Sequence, residues 1–516
     1  MTTTLYIPLD ERPCNFMHPQ ALLESIKEPR VILKTPPLEI LGRKKEPADI
    51  NALWTWLEEE LPTADQLLCS LDMLLFGGIV PSRLHHKTHS EVSATLDRLI
   101  QLKDKYPGLK IYAFNLIMRV PSYNSADEEP AYYATYGEKI FRWGWLTDQV
   151  GRGHGNQEAR QELSAVMASI PQNVREDYLT RRELNHFVNT EAISLALRGV
   201  LDFLVIPLDD CAEYGFSAAE QRTLLKQVEK HNLHQRVHIY PGADEVGSTL
   251  LCRMYNQLKG RKPRVFVRYS STIGPQIIPR YEDRPLGESI KSQITVCGGV
   301  MVDNALEADL VLMVNSPTLN NGTMQEASQA VYDKDTSYYS FRNVREFTES
   351  ITYYLQSGRK VALADVAFGN GADHELMGLL EAAGILGKLH SYAGWNTPGN
   401  TLGTVLAHSL IRLHDPNDAS SQPCKFVLDR YLEDWGYQVL VRTFLTQHAD
   451  ELGITYHDLR ERQPEIKATA LEMLQDFIRT HQMSFHEQYE LESVEFPWNR
   501  LFEISLTTTL GVRALE

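Results

Sequence analysis

Short apolar runs recur along the chain, and each is followed by a polar turn and a helix-like stretch. The run 203–206 (Phe-Leu-Val-Ile) shows the pattern best, because it lacks the alternation of a strand with one face in water. A strand covered on both faces is typical of parallel sheets flanked by helices. The same pattern predicts strands at residues 5–9, 66–71, 110–115, 236–240, 264–269, 294–297, 308–315, 360–365 and 389–392.

Eight or nine strands separated by helices predict an α/β fold. Because almost every predicted strand ends in polar residues, we expect a TIM-barrel-like (β/α)8 catalytic domain over residues 1–415, since a barrel collects functional groups from many strand ends. A doubly wound sheet, which concentrates them at one switch point, is the alternative. Residues 415–423 resemble a linker, and apolar positions after residue 425 recur with helical period, which predicts a mainly helical C-terminal domain over 416–516.

Composition narrows the classes of partner. The formal charge of −16 repels phosphate backbones and no basic cluster offsets it, so we expect no nucleic acid partner. No apolar run approaches the roughly 18–20 residues that cross a bilayer, and the N-terminus lacks a signal-peptide pattern, so we expect a cytoplasmic protein without membrane association. Neither a cysteine pair with zinc spacing nor a dinucleotide-binding fingerprint occurs, and we expect no cofactor. A homo-oligomer is compatible with this sequence.

Two adjacent acids, Asp209 and Asp210, follow the apolar run 203–206 and the two apolar residues 207–208 that continue it. Neighbouring carboxylates do not both ionise easily, so one is expected to have a raised pKa and to donate a proton while the other stays anionic. Side chains of successive strand residues point to opposite faces, so this hypothesis requires the backbone to leave strand geometry at Leu208. The alternative is one ligand-facing acid and one acid that caps a helix or forms an ion pair.

Other strand ends carry polar side chains that suit a sugar ligand, since paired carboxylate and guanidinium groups can hold vicinal hydroxyls. Asp244 and Glu245 are the main rival acid pair, although Gly242 before them suggests the start of a helix. The ion pair of a structural network is the alternative role for each charged residue. The remaining strand-end candidates are Asp10, Glu11, Arg12, Asp72, Asn115, Arg119 and Tyr123.

Five segments spread over nearly the whole chain resemble the bacterial family catalogued as domain of unknown function 4127. They are residues 9–13 (Leu-Asp-Glu-Arg-Pro), 119–123 (Arg-Val-Pro-Ser-Tyr), 208–210 (Leu-Asp-Asp), 240–245 (Tyr-Pro-Gly-Ala-Asp-Glu) and 394–403 (Gly-Trp-Asn-Thr-Pro-Gly-Asn-Thr-Leu-Gly). This resemblance implies no activity.

An acid pair after the fourth predicted barrel strand also resembles the substrate-assisted β-N-acetylhexosaminidases, both the O-GlcNAcase type and the hexosaminidase type. This resemblance implies that the substrate's 2-acetamido oxygen attacks the anomeric carbon, an exception to the two-carboxylate scheme. Asp209 would then orient the acetamido N–H, and Asp210 would act as general acid and base. Enzymes of both types surround the acetamido group with aromatic and amide side chains, and the candidates here are Tyr214, Tyr392, Trp395 and Asn396. For Tyr392 and Trp395, packing in the core is the alternative.

The resulting expectation is a glycoside hydrolase that releases terminal β-linked N-acetylgalactosamine or N-acetylglucosamine, with retention, through an oxazoline intermediate. Two alternatives stay open. Strand-end carboxylates such as Asp10, Asp72, Asp209 and Asp210 could hold a divalent ion in a metal-dependent hydrolase, although we expect no metal. The polar strand ends could also belong to a sugar-binding protein without catalysis. The histidines of residues 85–89 lack the H-E-x-x-H pattern and are expected to be solvated.

Overall fold

The computed structural model describes residues 1–26, 30–318, 324–415, 424–482, 484–485 and 487–511. Helices alternate with parallel strands over most of this length, which confirms the predicted α/β class. Among the described residues, no helix combines the length and the apolar character that a bilayer crossing requires.

The strands are β1 (Thr2–Ile7), β2 (Val31–Lys34), β3 (Gln66–Ser70), β4 (Lys110–Phe114), β5 (Phe203–Leu208), β6 (Val237–Pro241), β7 (Arg264–Tyr269), β8 (Val300–Met301), β9 (Leu310–Asn315), β10 (Val361–Asp365), β11 (Ser391–Ala393), β12 (Tyr489–Glu495) and β13 (Ser505–Leu510).

The α-helices are α1 (Pro13–Phe16), α2 (His18–Glu24), α3 (Ile50–Glu60), α4 (Leu71–Phe76), α5 (His89–Lys105), α6 (Tyr133–Gly151), α7 (Gln157–Ala168), α8 (Gln172–Leu197), α9 (Phe216–Lys230), α10 (Val246–Leu258), α11 (Leu286–Val296), α12 (Ala327–Ala330), α13 (Ser337–Ser340), α14 (Val344–Gln356), α15 (His374–Ala382), α16 (Pro398–Arg412), α17 (Lys425–Arg430), α18 (Arg442–Gln447), α19 (Ala449–Leu452) and α20 (Gln463–Thr480). A π-helix spans Tyr431–Val441, and turns of 3-10 helix lie at Leu38–Ile40, Leu61–Thr63, Pro81–Arg83, Gly274–Gln276, Leu386–Lys388, Arg460–Arg462 and Pro497–Asn499.

The first of two compact units comprises Met1–Phe16, Arg30–Gly247 and Tyr281–Asp283. Its sheet has the strand order β2-β1-β3-β4-β5-β6, and every neighbouring pair is parallel. All six residues of β5 are buried, which is typical of a parallel strand that is covered on both faces. Leu204 and Ile206 of β5 share an apolar core with Trp54 of α3 and Val188 of α8.

The second unit comprises Met17–Pro29, Ser248–Arg280 and Arg284–Glu516. Its parallel sheet has the order β11-β10-β9-β7-β8, and β12 and β13 form a separate antiparallel pair. Strands β9 and β10 are buried at every position. Their side chains, such as Val311 and Leu363, belong to the same apolar core as Trp435, Leu474 and Val494.

The two sheets share one topology. In each unit the second strand lies on one side of the first, and the third strand lies on the other side. This is the order of a doubly wound sheet, with switch points between β1 and β3 and between β7 and β9. The strand pairing of the described residues does not show the closed eight-stranded barrel that the sequence predicts. Strands and helices alternate in both architectures, so the apolar pattern does not distinguish them.

The two compact units differ from the predicted division into residues 1–415 and a helical domain over 416–516. The helices from residue 425 onward and the β12–β13 pair share the core of the second unit, and the two units divide between residues 247 and 248. Residues 416–423, which include most of the predicted linker and the predicted boundary, lie outside the described residues.

Most predicted strands are found within a few residues of their predicted positions, but the strand predicted at 294–297 is wrong. Residues up to Val296 belong to helix α11, in which Ile290, Ile294 and Val296 are buried. The apolar cluster of residues 294–297 therefore reflects a buried helix end.

Candidate functional site

Neighbouring strands β3, β4 and β5 of the first unit deliver polar loops to the same edge of the sheet, because all three are parallel. The pairing of β4 with β5 continues beyond the strands, since the Ile117 N–H donates to the Pro207 carbonyl at 2.9 Å. Arg119 and Asp209 therefore leave the sheet at the same edge. Arg182 of α8 holds the Arg119 carbonyl with a hydrogen bond of 3.2 Å.

Two arginines and two glutamates form the centre of what we call the arginine–carboxylate cluster, which comprises Arg83, Arg119, Glu128, Glu129, Asp209 and Asp210. Arg83 contacts Glu128 at 3.0 Å and Glu129 at 3.4 Å. Arg119 contacts Glu128 at 3.0 Å and Glu129 at 2.8 Å. Each glutamate therefore bridges both guanidinium groups and fixes their orientation.

Asp209 and Asp210 each bind one of these arginines. Asp209 Oδ2 accepts from Arg83 Nη2 at 2.7 Å, and Asp210 Oδ2 accepts from Arg119 Nη1 at 3.2 Å. The strand ends at Leu208, and Asp210 has a φ of +36°, so the backbone has left extended geometry as the acid-pair hypothesis requires. Their side chains remain 16% and 21% exposed, whereas that of Arg83 is 3% exposed. A ligand can therefore reach both aspartates from solvent.

The cluster carries more acids than arginines. Four carboxyl groups contact two guanidinium groups, so full ionisation would leave a negative surplus in a partly buried place. Burial and the neighbouring Asp209 raise the pKa of Asp210 to about 6, against the lowering effects of Arg119 and Arg83. Asp210 is therefore partly protonated near neutral pH.

Asp72 lies beside this cluster in the first turn of α4. Its Oδ2 accepts from the Leu116 N–H at 3.0 Å, which joins the ends of β3 and β4. Burial raises the pKa of Asp72 to about 7, while the Leu116 N–H and Arg83 lower it and Asp209 raises it. Asp72 is thus a second carboxyl group that holds a proton near neutral pH.

Asn115 is buried at 1% exposure and donates to Asn189 at 3.0 Å.

Tyr123 lies close to the cluster although the residue is 42% exposed. Arg119 lowers the pKa of its hydroxyl, but burial of that end and the charges of Asp210, Glu128 and Glu129 raise it to about 12. The phenol therefore stays neutral and available as a hydrogen-bond donor near Asp210.

A second network joins the loops after β1 and β6 in the same unit. Arg12 donates to Asp10 Oδ2 through Nε at 2.9 Å and through Nη2 at 2.6 Å, and it also contacts Asp244 at 2.5 Å. Asn15 donates to Asp10 at 2.9 Å and to Asp244 at 3.2 Å. Asp10, Arg12 and Asp244 are at most 6% exposed. The structural ion-pair role, which was the alternative for these residues, therefore accounts for their contacts.

Glu11 and Glu245, which follow Asp10 and Asp244 in the chain, form different hydrogen bonds. Glu11 accepts from the backbone N–H of Lys44 at 3.0 Å. Glu245 is 1% exposed, and its Oε2 accepts from the Ala243 N–H at 2.8 Å. The rival acid pair is thus less accessible than Asp209 and Asp210.

Tyr214, also in the first unit, belongs to a different group of side chains. Its hydroxyl contacts His154 Nδ1 at 3.0 Å, and the Arg152 guanidinium lies 4.7 Å from its ring centre. These contacts place its ring against the C-terminal end of α6 and the residues that follow. Within the described part of the chain, Tyr214 has no hydrogen bond or ring contact with the arginine–carboxylate cluster.

The other aromatic candidates lie in the second unit. Tyr392 is 0% exposed, and Trp395 is 7% exposed and donates from Nε1 to Thr404 at 3.2 Å. Both pack in the interior, which was the alternative for them. Asn396 has a φ of +53°, and its carbonyl accepts from the Asn370 N–H at 2.9 Å.

Arg83, Glu128 and Glu129 are the members of the cluster that the sequence interpretation did not select. Arg83 ends the loop that follows Asp72, and the two glutamates lie in the loop that follows β4. Their position in the chain was the available signal, because each lies on a loop after β3 or β4, the two strands that precede β5 in the sheet order. Among the described residues, no group of three or more His, Cys, Asp or Glu side chains is arranged to hold a metal ion.

A family model described as "Protein of unknown function (DUF4127)" matches residues 4–507. No curated protein matches the chain.

Proposed function

Because the chain belongs to the DUF4127 family, whose description names no activity, we propose a function from its site: hydrolysis of terminal β-linked N-acetylhexosaminides. N-acetylgalactosamine and N-acetylglucosamine are both within the proposal, since one or two hydrogen bonds to the 4-hydroxyl distinguish them. The proposal requires only that the loops after β3, β4 and β5 meet at one edge of the sheet. It does not depend on whether the strands belong to a closed barrel. It keeps the cytoplasmic location expected from the sequence.

In the proposed reaction, the substrate's acetamido oxygen attacks the anomeric carbon while Asp210 protonates the departing glycosidic oxygen. Asp209 accepts a hydrogen bond from the acetamido N–H and stabilises the oxazolinium ion. Asp210, now a carboxylate, then removes a proton from water, which opens the oxazoline at the anomeric carbon. Two inversions at this carbon give retention.

The observation that carries the proposal is a pair of adjacent, partly exposed acids at the end of β5, each bound to a different arginine of the cluster. Asp210 has a pKa of about 6, so it is partly protonated near neutral pH, as a general acid must be. Asp209 is held by Arg83 at 2.7 Å. A negative surplus beside the reacting carbon favours a cationic intermediate, because fixed charges act strongly where water is partly excluded.

The test is hydrolysis of aryl and alkyl β-N-acetylhexosaminides by the wild type and by Asp209→Ala and Asp210→Ala. We expect Asp210→Ala to lower kcat/KM about 10²–10⁴-fold on alkyl glycosides. The loss on nitrophenyl glycosides is smaller, because their leaving groups need little protonation. Asp209→Ala is expected to lower the rate on both substrates. Asp202→Asn, whose side chain is also 21% exposed but lies outside the cluster, is the matched control.

Three results distinguish the proposal from its rivals. Full activity after loss of both Asp209 and Asp210 rejects it. Hydrolysis of amides or phosphoesters that a chelator abolishes and a divalent ion restores supports a metal-dependent hydrolase instead. Tight binding of N-acetylhexosamine without turnover supports a sugar-binding protein.

A further inference from the structure

Arg182 of helix α8 is buried although its guanidinium group is charged. The residue is 2% exposed, and a buried charge is costly unless it is paired and hydrogen-bonded. Its Nε and Nη2 groups donate to the two carboxylate oxygens of Glu220 at 2.7 and 2.9 Å. Glu220 belongs to α9, the helix that follows the loop of Asp209 and Asp210. This bidentate ion pair therefore joins α8 to the helix that continues from the acid pair.

The remaining N–H groups of Arg182 reach one backbone carbonyl and two hydroxyl groups. Nη1 donates to the Arg119 carbonyl at 3.2 Å and to the Tyr178 hydroxyl at 3.2 Å. Nη2 also donates to Ser217 Oγ at 3.4 Å. An arginine side chain has five N–H donors, and these five hydrogen bonds use all of them. Arg182 therefore holds α8, α9 and the loop after β4 together.

Ser217 holds the neighbouring carbonyl of the same loop. Its Oγ donates to the Met118 carbonyl at 3.0 Å. Because peptide groups are planar, binding the carbonyls of Met118 and Arg119 fixes both peptide planes that flank the Arg119 Cα. The direction in which the Arg119 side chain leaves the backbone is thereby fixed. We call Arg182, Ser217 and Glu220 the α8–α9 clamp.

Aromatic packing keeps the guanidinium group of the clamp in place. It lies 5.7 Å from the ring centre of Tyr178 and 5.6 Å from that of Phe216. Tyr178 belongs to an apolar core with Met118 and Trp143, and Phe216 packs against that core. A lysine at position 182 would keep the charge but lose the planar bidentate geometry. The arrangement therefore depends on the shape of arginine as well as on its charge.

The side chain that the clamp orients binds the acid of the proposed reaction. Arg119 Nη1 donates to Asp210 Oδ2 at 3.2 Å. The loop of Asp210 leads into α9, so the clamp holds the backbone of Arg119 against the helix that begins at the end of that loop. We propose that Arg182 is a positioning residue of the glycosidase: acting through the Arg119 backbone, it sets the distance between the Arg119 guanidinium group and Asp210. This inference rests on the proposed function.

The groups around Asp210 determine the effect of moving Arg119. The charged and titratable groups that face Asp210 are Asp209, Arg83, Arg119, Glu128 and Tyr123. Burial and the acids among them raise the pKa of Asp210, and the arginines lower it. Loss of a nearby opposite charge favours the neutral form, so a weakened clamp should shift the titration of Asp210 to higher pH. This shift should be smaller than the shift of about one unit that removal of the Arg119 guanidinium group causes.

The test follows the titration of Asp210 by a measurement that needs no turnover. The stability of Asp210→Asn relative to the same chain with Asp210 rises with pH and levels off above the pKa of Asp210. Urea unfolding gives the pH of this levelling in the wild type and in the Arg182→Lys and Ser217→Ala backgrounds. We expect it at higher pH in both backgrounds, with the larger shift in Arg182→Lys.

Turnover of alkyl β-N-acetylhexosaminides supplies the second measurement. We expect Arg182→Lys to lower kcat about 10-fold to 10²-fold, the loss that a misplacement of about 1 Å can cause, with KM close to that of the wild type. The descending limb of its kcat/KM profile should move to higher pH by the same amount as the levelling pH. In a chain that carries Arg119→Gln, Arg182→Lys should cause little further shift, because the clamp acts through Arg119.

Arg142→Lys is the matched control. Arg142 of α6 also forms a bidentate ion pair, with Glu162 at 2.6 Å through both Nε and Nη2, and it does not belong to the arginine–carboxylate cluster. Its replacement should leave the titration of Asp210 and the turnover unchanged.

An unchanged Asp210 titration in both backgrounds overturns the proposal, and so does a shift that adds in full to that of Arg119→Gln. Lost turnover in Arg182→Lys without a pH shift also overturns it, since that pattern reflects only a structural role. If the wild type hydrolyses no glycoside while the titration shifts as expected, the positioning of Arg119 stands and the proposed function alone fails. Ser217→Ala decides the question if Arg182→Lys does not fold.

Discussion

Replacing Asp210 with asparagine should stabilise the protein increasingly as pH rises, although the variant loses its proposed acid. The pKa of Asp210 is raised from 3.8 to about 6, so the folded state binds its proton more tightly than the unfolded chain does. Between these two pH values the folded state holds more protons, and the free energy of unfolding therefore falls as pH rises. Asparagine keeps the shape of the acid and removes this dependence.

The magnitude follows from the shift. A difference of about 2 pKa units at about 1.4 kcal/mol each gives about 3 kcal/mol of stability that the wild type loses between about pH 4 and pH 6. The stability of Asp210→Asn relative to the wild type should rise by up to this amount and stay constant above about pH 7. Urea unfolding between pH 4 and pH 8 at fixed ionic strength measures it.

Asp202→Asn is a control with the opposite sign. The Asp202 side chain has the same 21% exposure as that of Asp210. Burial raises the pKa of Asp202, but the Ile111 N–H, Lys103 and Lys110 lower it below its ordinary value. The wild type therefore gains stability from Asp202 as pH rises, and Asp202→Asn should become relatively less stable. A stability difference for Asp210→Asn that is flat with pH, or that falls as it does for Asp202→Asn, would refute the reasoning.

Three further predictions concern the site and its support. Arg119→Gln removes the guanidinium 3.2 Å from Asp210, so the descending limb of the kcat/KM profile should move about one unit to higher pH in the aryl glycoside assay. Gly77→Ala should lower the free energy of unfolding in urea by more than about 2 kcal/mol, because a Cβ at this φ of +88° would lie 2.7 Å from the backbone nitrogen of Ala48. Gly260→Ala is the control: its φ is +62° but its Cβ would lie in open space, so it should cost only about 1 kcal/mol. Leu204→Ala in the fully buried β5 should cost about 2–5 kcal/mol by the same measurement.

The sequence predicts the buried strands well because continuous apolar runs mark them. β9 and β10 are buried at every residue, and both were predicted within two residues of their ends. β2 and β8 escaped prediction because they are short edge strands with exposed apolar residues, such as Ile32 at 42% and Val300 at 37% exposure. The strand order was not predictable, since it depends on which side of the first strand each later strand joins.

The C-terminal region shows a signal that helical periodicity concealed. Tyr489, Leu491 and Val494 of β12 are buried, while Glu490 and Glu492 are exposed. This near alternation is typical of a strand with one wet face. The expectation of a mainly helical region overlooked it because α20 and the helices before it dominate the segment by length.

The sequence predicted the part of the site whose residues are adjacent in the chain, and it did not predict which residues of other loops join them. Asp209 and Asp210 stand out because two acids follow one apolar strand. Arg83 and Glu129 come from loops after β3 and β4, and only the parallel order of β3, β4 and β5 brings them to the same place. Candidates such as Tyr214 and Trp395 were chosen by residue type alone, and residue type does not determine which neighbours a side chain contacts.

The arginine–carboxylate cluster links the proposed activity to a cost in stability. Burial and excess negative charge raise the pKa of Asp210, and the same two effects penalise its ionised form in the folded state. The positive φ of this non-glycine residue adds backbone strain at the same position. A group that served only folding would be more stable as a neutral amide. Under the proposed activity the acid is needed for its proton, and a higher stability together with a lower turnover of Asp210→Asn above about pH 7 would measure that trade-off directly.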